Sequence, residues 1–171
     1  PLTIGTTTLP PMGKFMSTSH GFWQNAERHQ YLDNILRLKG VDKGVKIVFD
    51  RRMVPHIYAS NLEDLYFAQG YVTAMHRLWQ FDISSRAAAG RISEILGDGA
   101  INYDKTQRNK GATRAAQQYY AAWQKDTLSF GYLEAYTAGI NTYIDKLQPR
   151  KYPVEFKLLN YKPEPWSPLK S

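Results

Sequence analysis

The sequence predicts an α+β chain, mainly helical with a few short strands, and three features carry that expectation. Residues 61–86 place apolar side chains on almost every side of a helix, behind a capping pattern at Ser60. Residues 128–147 repeat Leu128, Tyr132, Tyr136, Ile140, Tyr143 and Leu147 at steps of three and four. Before both, Val45, Lys46, Ile47, Val48 and Phe49 form a short strand pattern.

The totals narrow the class. With 171 residues the chain can bury a core of its own and reads as a single unit. Apolar residues at 43% and aromatic residues at 13% exclude a disordered segment. Twelve Tyr and four Trp need a packing partner, inside the chain or outside it. The formal net charge of +7 reads as a solvated basic surface, because Lys and Arg interleave with Asp and Glu. A stand-alone basic binding module for an anionic partner is the alternative reading, although no nucleic-acid motif accompanies the charge. The absence of cysteine excludes disulfides, thiolate metal sites and a cysteine nucleophile. No apolar run is long enough to insert across a bilayer, and no signal peptide opens the chain. Pro1 stands first in place of Met, which fits a processed or trimmed protein.

Taken in order, residues 1–30 read as an extended docking arm. The first nineteen are rich in Thr, Pro, Gly and Ser, and Phe15, Phe22 and Trp23 are expected to dock on something. Residues 31–38 fit a short helix or strand. Pro55 biases Val54 to an extended conformation, and Ile57 with Tyr58 gives a second short strand. Ser60 and Glu63 have the capping-box spacing, which opens the long helix. Leu65, Ala68, Val72, Met75 and Trp79 fall on its main stripe; Tyr66, Phe67, Tyr71, Leu78 and Phe81 lie off it. Trp79 is expected in a core or an interface. Gly90 interrupts the pattern, and residues 91–96 form a short helix ended by Gly97. Residues 98–108 read as a connection. Residues 111–123 are Ala-rich and helical, with Ala115, Tyr119 and Trp123 on one face. Asp126 or Thr127 caps the next helix, which Pro149 stops. Residues 149–171 make a proline-rich tail with no room for a long helix.

The residues that carry chemistry in other proteins are present but not assembled in this sequence. His56 in VPHIYA reads as a hydrogen-bonded structural histidine in a turn, and His76 as a structural residue in mid-helix. His20 and His29 have no metal-like spacing, and no HExxH occurs, so no metal ligand is assigned. Ser167 and Lys170 match S-x-x-K in a tail that lacks the motif's partner sequences. Gly97 and Gly99 begin a dinucleotide fingerprint whose third glycine position holds Asn102. Asp50, Asp82 and Asp104 read as members of salt bridges or caps. No catalytic residue is assigned, and the substrate-binding positions stay open.

The order of certain segments resembles the first chain of the penicillin acylase family of N-terminal nucleophile hydrolases. They are DRRMVPHI at 50–57, AQGYVTAMHRLWQF at 68–81, AGRISEILG at 89–97, AYTAGINTYID at 135–145 and PEPWSP at 163–168. PPMGKF and GFWQNAE near the start also look like a mature first chain. The resemblance implies that the chain belongs to the αββα fold of such an enzyme as the N-terminal part of its first chain. It implies a second chain from the same precursor, whose leading Ser is the nucleophile and whose α-amino group is the base. It implies an amidohydrolase that acts on acylated amines, either a β-lactam side-chain amide or an acyl-homoserine lactone, in the periplasm or outside the cell. A further helix in the family's first chain supplies pocket residues and one carboxylate to a calcium site, so calcium is expected only in the complete enzyme. The sequence departs from the family pattern in two places. Met53 replaces a turn glycine, so the turn is expected to avoid positive φ. Met75 and His76 replace Gln and Asp, which removes a carboxylate partner for a nearby arginine.

Overall fold

The computed structural model describes residues 2–4, 7–9 and 37–171. The chain is mainly helical, with a few short strands. Strand β1 (Leu2–Ile4) pairs antiparallel with β2 (Thr7–Leu9), so the first part of the expected arm is a small hairpin. Phe15, Phe22, Trp23, His20 and His29 lie outside the described residues, as does most of the 31–38 segment.

A second hairpin joins β3 (Lys46–Phe49) to β4 (Pro55–Tyr58), with Val48 opposite His56 and Lys46 opposite Tyr58. Asp50 organises the turn between them. One of its carboxylate oxygens accepts from the amides of Arg52 at 2.8 Å and Val54 at 2.9 Å. Met53 adopts φ 63°, contrary to the expectation that this turn avoids positive φ. The Asp50 side chain holds both flanking amides, which leaves Met53 in the left-handed region.

Helix α1 (Leu62–Ala89) is the longest element, with a kink where Arg77 leaves helical geometry at φ −137° and ψ 23°. Its cap differs from the Ser60–Glu63 box. Asn61 is the N-cap and its side chain accepts from the Asp64 amide at 2.7 Å. Asp64 answers: its carboxylate accepts from Asn61 Nδ2 and from the amides of Asp42 and Lys43, both at 2.8 Å. One shorter polar pair one residue on therefore replaces the predicted box and also ties the preceding turn to the helix. Burial alone would raise the Asp64 pKa, but the two amides and Asn61 hold it below the ordinary value. The buried stripe is also shifted. Phe67, Ala68, Val72, Ala74 and Leu78 are buried, whereas Leu65, Met75 and Trp79 are half-buried.

The shift follows from what α1 packs against, the helix α5 (Thr127–Lys146), capped by Asp126 as expected. At their crossing the backbones touch. A Cβ on Gly70 would overlap the Tyr136 carbonyl, and a Cβ on Gly139 would overlap the Phe67 carbonyl. Residues on the Gly70 face of α1 are therefore the ones driven inward. Tyr66 stacks on Tyr132 at 5.1 Å, and Tyr71 meets Tyr143 edge-on at 5.5 Å. Below the crossing lies the core of Ala74, Leu78, Ile140, Phe156 and Trp166, with Trp79 packed against it.

Between the two long helices run α2 (Ser93–Leu96), α3 (Ile101–Asn109) and α4 (Ala112–Trp123). Gly90 ends α1 with φ 64°. The stretch expected as a connection is a 3-10 turn followed by α3. It has no apolar stripe to announce a helix; its Asp104 supplies the tertiary reason for one. That buried carboxylate accepts from the amides of Ile92 at 2.9 Å and Ser93 at 2.8 Å and from the Ser93 hydroxyl, which pins α3 under the start of α2. The tail holds only turns and the five-residue α6 (Val154–Leu158).

Two tests address this frame in the full-length protein. Gly139→Ala should cost about 3 kcal/mol as an overpacked core position, whereas Gly131→Ala, with open space around its Cβ, should gain about 0.5–1 kcal/mol from helix propensity. Equal effects in denaturant unfolding would rule out the backbone contact. Met53→Gly should stabilise by about 1 kcal/mol, since L-residues strain at positive φ, and Met53→Val should destabilise.

Candidate functional site

Two of the segments that the sequence singles out, 89–97 and 163–168, meet at Arg86. Arg86 sits near the end of α1, and its side chain is 6% exposed. Its Nε donates to Asp82 at 2.9 Å one turn back, its Nη1 to Glu94 on α2 at 2.6 Å, and its Nη2 lies 3.2 Å from Glu164 in the tail. Arg91 forks both ways. It donates to Glu94 at 2.8 Å with two nitrogens and to Glu164 at 3.0 and 3.1 Å. Lys170 closes the cluster on Glu164 at 2.7 Å. Three cations thus balance three carboxylates across residues 82–170.

This balance sets the protonation states. Burial would favour neutral Arg86, but the Asp82 hydrogen bond and charge, with Glu164, hold it charged. Burial would raise Glu164; hydrogen bonds from Arg91 and Lys170 overcome it and bring its pKa to about 2. Arg91 likewise lowers Glu94. Tyr161, whose ring lies 5.5 Å from the Arg86 guanidinium, is pushed up first by burial and then by the Asp82 charge.

A second lock joins the tail to α5. Asn141 accepts from the Trp166 amide at 2.7 Å and donates to the Trp166 carbonyl at 3.0 Å. The Trp166 indole donates to the Ser171 hydroxyl at 2.9 Å, and its ring packs 5.4 Å from Phe81. Beside it opens a groove of about 670 Å³ lined by Tyr66, Phe81, Trp123, Tyr132, Tyr136 and Trp166, with serine hydroxyls at Ser84, Ser85 and Ser129.

The two described histidines do not converge on this groove. His56 is exposed on β4 rather than held in a turn. His76 is exposed on α1, with its ring 5.5 Å from Phe49. Ser167 begins a 3-10 turn, and Lys170 is engaged with Glu164 and the Pro165 carbonyl, so S-x-x-K makes no nucleophile–base pair here. Asp50, Asp82 and Asp104 serve in turn caps and an ion pair, as read. Among the described residues no group of three or more His, Asp or Glu could hold a metal. The carboxylates here are committed to arginines, amides and lysine, and no calcium-dependent step follows from this donor set. Asp64, Asn141 and the pairing of Arg86 with Glu164 escape the sequence reading. Asn141 and Glu164 at least fall inside the quoted segments, whereas Asp64 and Arg86 lie between them, and no segment pattern shows which side chains meet.

Fold and site together define a helical frame, built around a crossed helix pair and closed by a balanced ion cluster. The penicillin amidase family model matches residues 44–171, and the chain belongs to that family. It is 32% identical to penicillin G acylase of Escherichia coli over 128 residues, covering 73% of this chain and 15% of that protein. It is 34% identical to the penicillin acylase 2 proenzyme of Pseudomonas sp. strain SE83, covering 82% of this chain and 18% of that protein. It is 31% identical to the acyl-homoserine lactone acylase QuiP of Pseudomonas aeruginosa, covering 77% and 15%. A solved thermostable penicillin G acylase from Alcaligenes faecalis superposes with a TM-score of 0.66 at 28% identity, covering 74% of this chain and 67% of that one. The chain therefore spans less than a fifth of the length of these sequence relatives. No helix among the described residues is long and apolar enough to cross a membrane.

The cluster should show in acid. Glu164 has a folded pKa near 2, below its ordinary 4.5, so its contribution is complete above about pH 4.5 and is lost as pH falls towards 2. Acid unfolding of the full-length protein should steepen in that window, and Glu164→Gln should flatten it. Arg86→Met should cost about 3 kcal/mol, because it strands the buried Asp82 carboxylate. An unaltered acid profile in Glu164→Gln would remove the cluster from the stability argument.

Proposed function

We propose that this chain is the N-terminal part of the first subunit of an amidohydrolase of the penicillin acylase kind. Its work is to frame and to line the active site, while a second chain of the same precursor carries the Ser nucleophile, its α-amino base and the oxyanion hole. The substrate is an acylated amine, a β-lactam side-chain amide or an acyl-homoserine lactone. The relatives named for each of these activities match this chain almost equally well. The periplasm is the proposed compartment. Residues 1–171 act as one unit, with residues 149–171 as its clamp.

The observation that carries this reading is the state of the polar groups. Asp64, Asp82, Glu94, Asp104, Glu164 and Lys170 are all engaged in holding the frame together. The aromatic groove, by contrast, stays open beside the tail. A chain with that division contributes position and apolar surface, and the reacting groups come from elsewhere.

The isolated 171-residue chain should hydrolyse neither a phenylacetyl amide nor an acyl-homoserine lactone. It should bind a hydrophobic dye and self-associate, since the groove and the aromatic rows lack cover. With the second chain added it should form a tight heterodimer with an interface above the standard size, and turnover should appear. Turnover by the chain alone, lost on changing Ser167 or His56, would overturn the reading, as would a monodisperse, dye-silent monomer.

A further inference from the structure

Two of the three buried side-chain atoms without a hydrogen-bond partner among the described residues lie beside the ion cluster. They are Nε1 of Trp79 and the hydroxyl of Tyr161. Trp79 stands on α1 three residues before Asp82, so the two side chains share one face of that helix. Tyr161 comes to the same face from the tail. Its amide donates to the Phe156 carbonyl at 3.1 Å, and its ring packs 4.7 Å from the Phe156 ring. That ring also lies over the Arg86 guanidinium, whose Nε donates to Asp82. Burial raises the Tyr161 phenol first and the Asp82 carboxylate raises it further, while Arg86 and the Trp79 indole pull it back. The phenol is therefore close to the carboxylate and to the indole at once.

Buried donors are costly to leave unanswered, and the chemistry of these groups selects what can answer them. The indole N–H only donates, so an occupant must accept from it. The carboxylate only accepts, so the same occupant must also donate. A metal cation fails at the indole, because it offers no lone pair. An anion fails at Asp82. The Asp82–Arg86 pair is already matched in charge, and an added charge there would be buried without a counter-ion. What fits is a neutral molecule that both donates and accepts, and water is the smallest.

We propose that one buried water molecule bridges Trp79 Nε1, the Tyr161 hydroxyl and the Asp82 carboxylate. It accepts from the indole, donates to Asp82 and shares a third bond with the phenol, which is the usual coordination of an internal water. The bridge extends the Arg86 cluster to a residue with no formal charge. It also gives the tail a second polar tie to α1, beside the contact of Glu164 with Arg86.

The test is a high-resolution crystal structure of the full-length protein, joined to denaturant unfolding of Tyr161→Phe. One ordered water should stand about 2.7–3.2 Å from Trp79 Nε1, from the Tyr161 oxygen and from an Asp82 oxygen. Tyr161→Phe should shift the unfolding equilibrium roughly fivefold towards the unfolded state, because the water loses a partner. A phenol bonded directly to Asp82, or an indole with no water in reach, would overturn the proposal. So would a Tyr161→Phe protein as stable as the parent or more so, which is the result for a hydroxyl that bonds nothing. The crystal structure decides alone if the variant does not fold.

Discussion

The contact between two peptide backbones, α1 at Gly70 and α5 at Gly139, fixes where everything else can go. Each glycine forgoes about 1 kcal/mol of helix stability relative to Ala, and neither position tolerates a Cβ without overlapping a carbonyl of the other helix. What offsets that cost is the close approach itself. It brings Ile140 to complete burial beside Ala74 and Leu78, and it sets the tyrosine pairs of the two helices in ring contact. The same closeness leaves the outer edges of the helices parted, and the core residues Phe156 and Trp166 come from the tail to fill that space. The tail is thus part of the core, although its prolines deny it a long helix.

An apolar wedge alone would not say which way round the tail lies. Direction comes from the ion cluster and from Asn141. Buried ion pairs gain little net stability over apolar side chains of the same shape, because desolvation takes back most of the Coulomb attraction. They are unforgiving of misalignment, however, since a shifted tail takes Glu164 away from both Arg86 and Arg91. The Arg86 cluster therefore acts as a register device. Arg91 cannot fork to Glu94 and Glu164 together unless α2 and the tail are both seated. Asn141, bonded twice to the backbone of Trp166, sets the same register from the α5 side.

Much of this was legible in the sequence, and the limits have physical causes. Long helices with sustained apolar periods were readable because period and length reinforce one another, and the hairpin was readable from its alternation and from Pro55. Helix α3 was not, since INYDKTQRN has no stripe and owes its helix to Asp104 reaching back to Ile92 and Ser93. The α1 cap slipped by one residue because Ser60 and Asn61 are both good caps, and only the Asp42–Lys43 turn arriving at Asp64 decides between them. The buried stripe moved because glycine carries no hydropathy signal, yet Gly70 decides which face meets α5. Met53 shows the same limit. Propensity argued against positive φ, and two amides on one Asp50 oxygen outweighed it.

The site was harder to read than the fold because its parts are ordinary residues that matter only in combination. Asp82, Arg86, Glu94 and Glu164 would each pass as solvated surface charges, and no spacing rule links residue 86 to residue 164. What distinguishes them is charge balance around the buried pair Asp82 and Arg86, which arises only after α1, α2 and the tail have assembled. The two described histidines, His56 and His76, and the S-x-x-K match carry the residue types of catalysis without the geometry. A frame and a reaction centre thus make opposite demands on polar groups. The frame needs every buried charge answered internally, whereas a reaction centre needs some left unanswered until substrate arrives. In the described residues the buried charges meet the first demand, and what remains open is apolar surface.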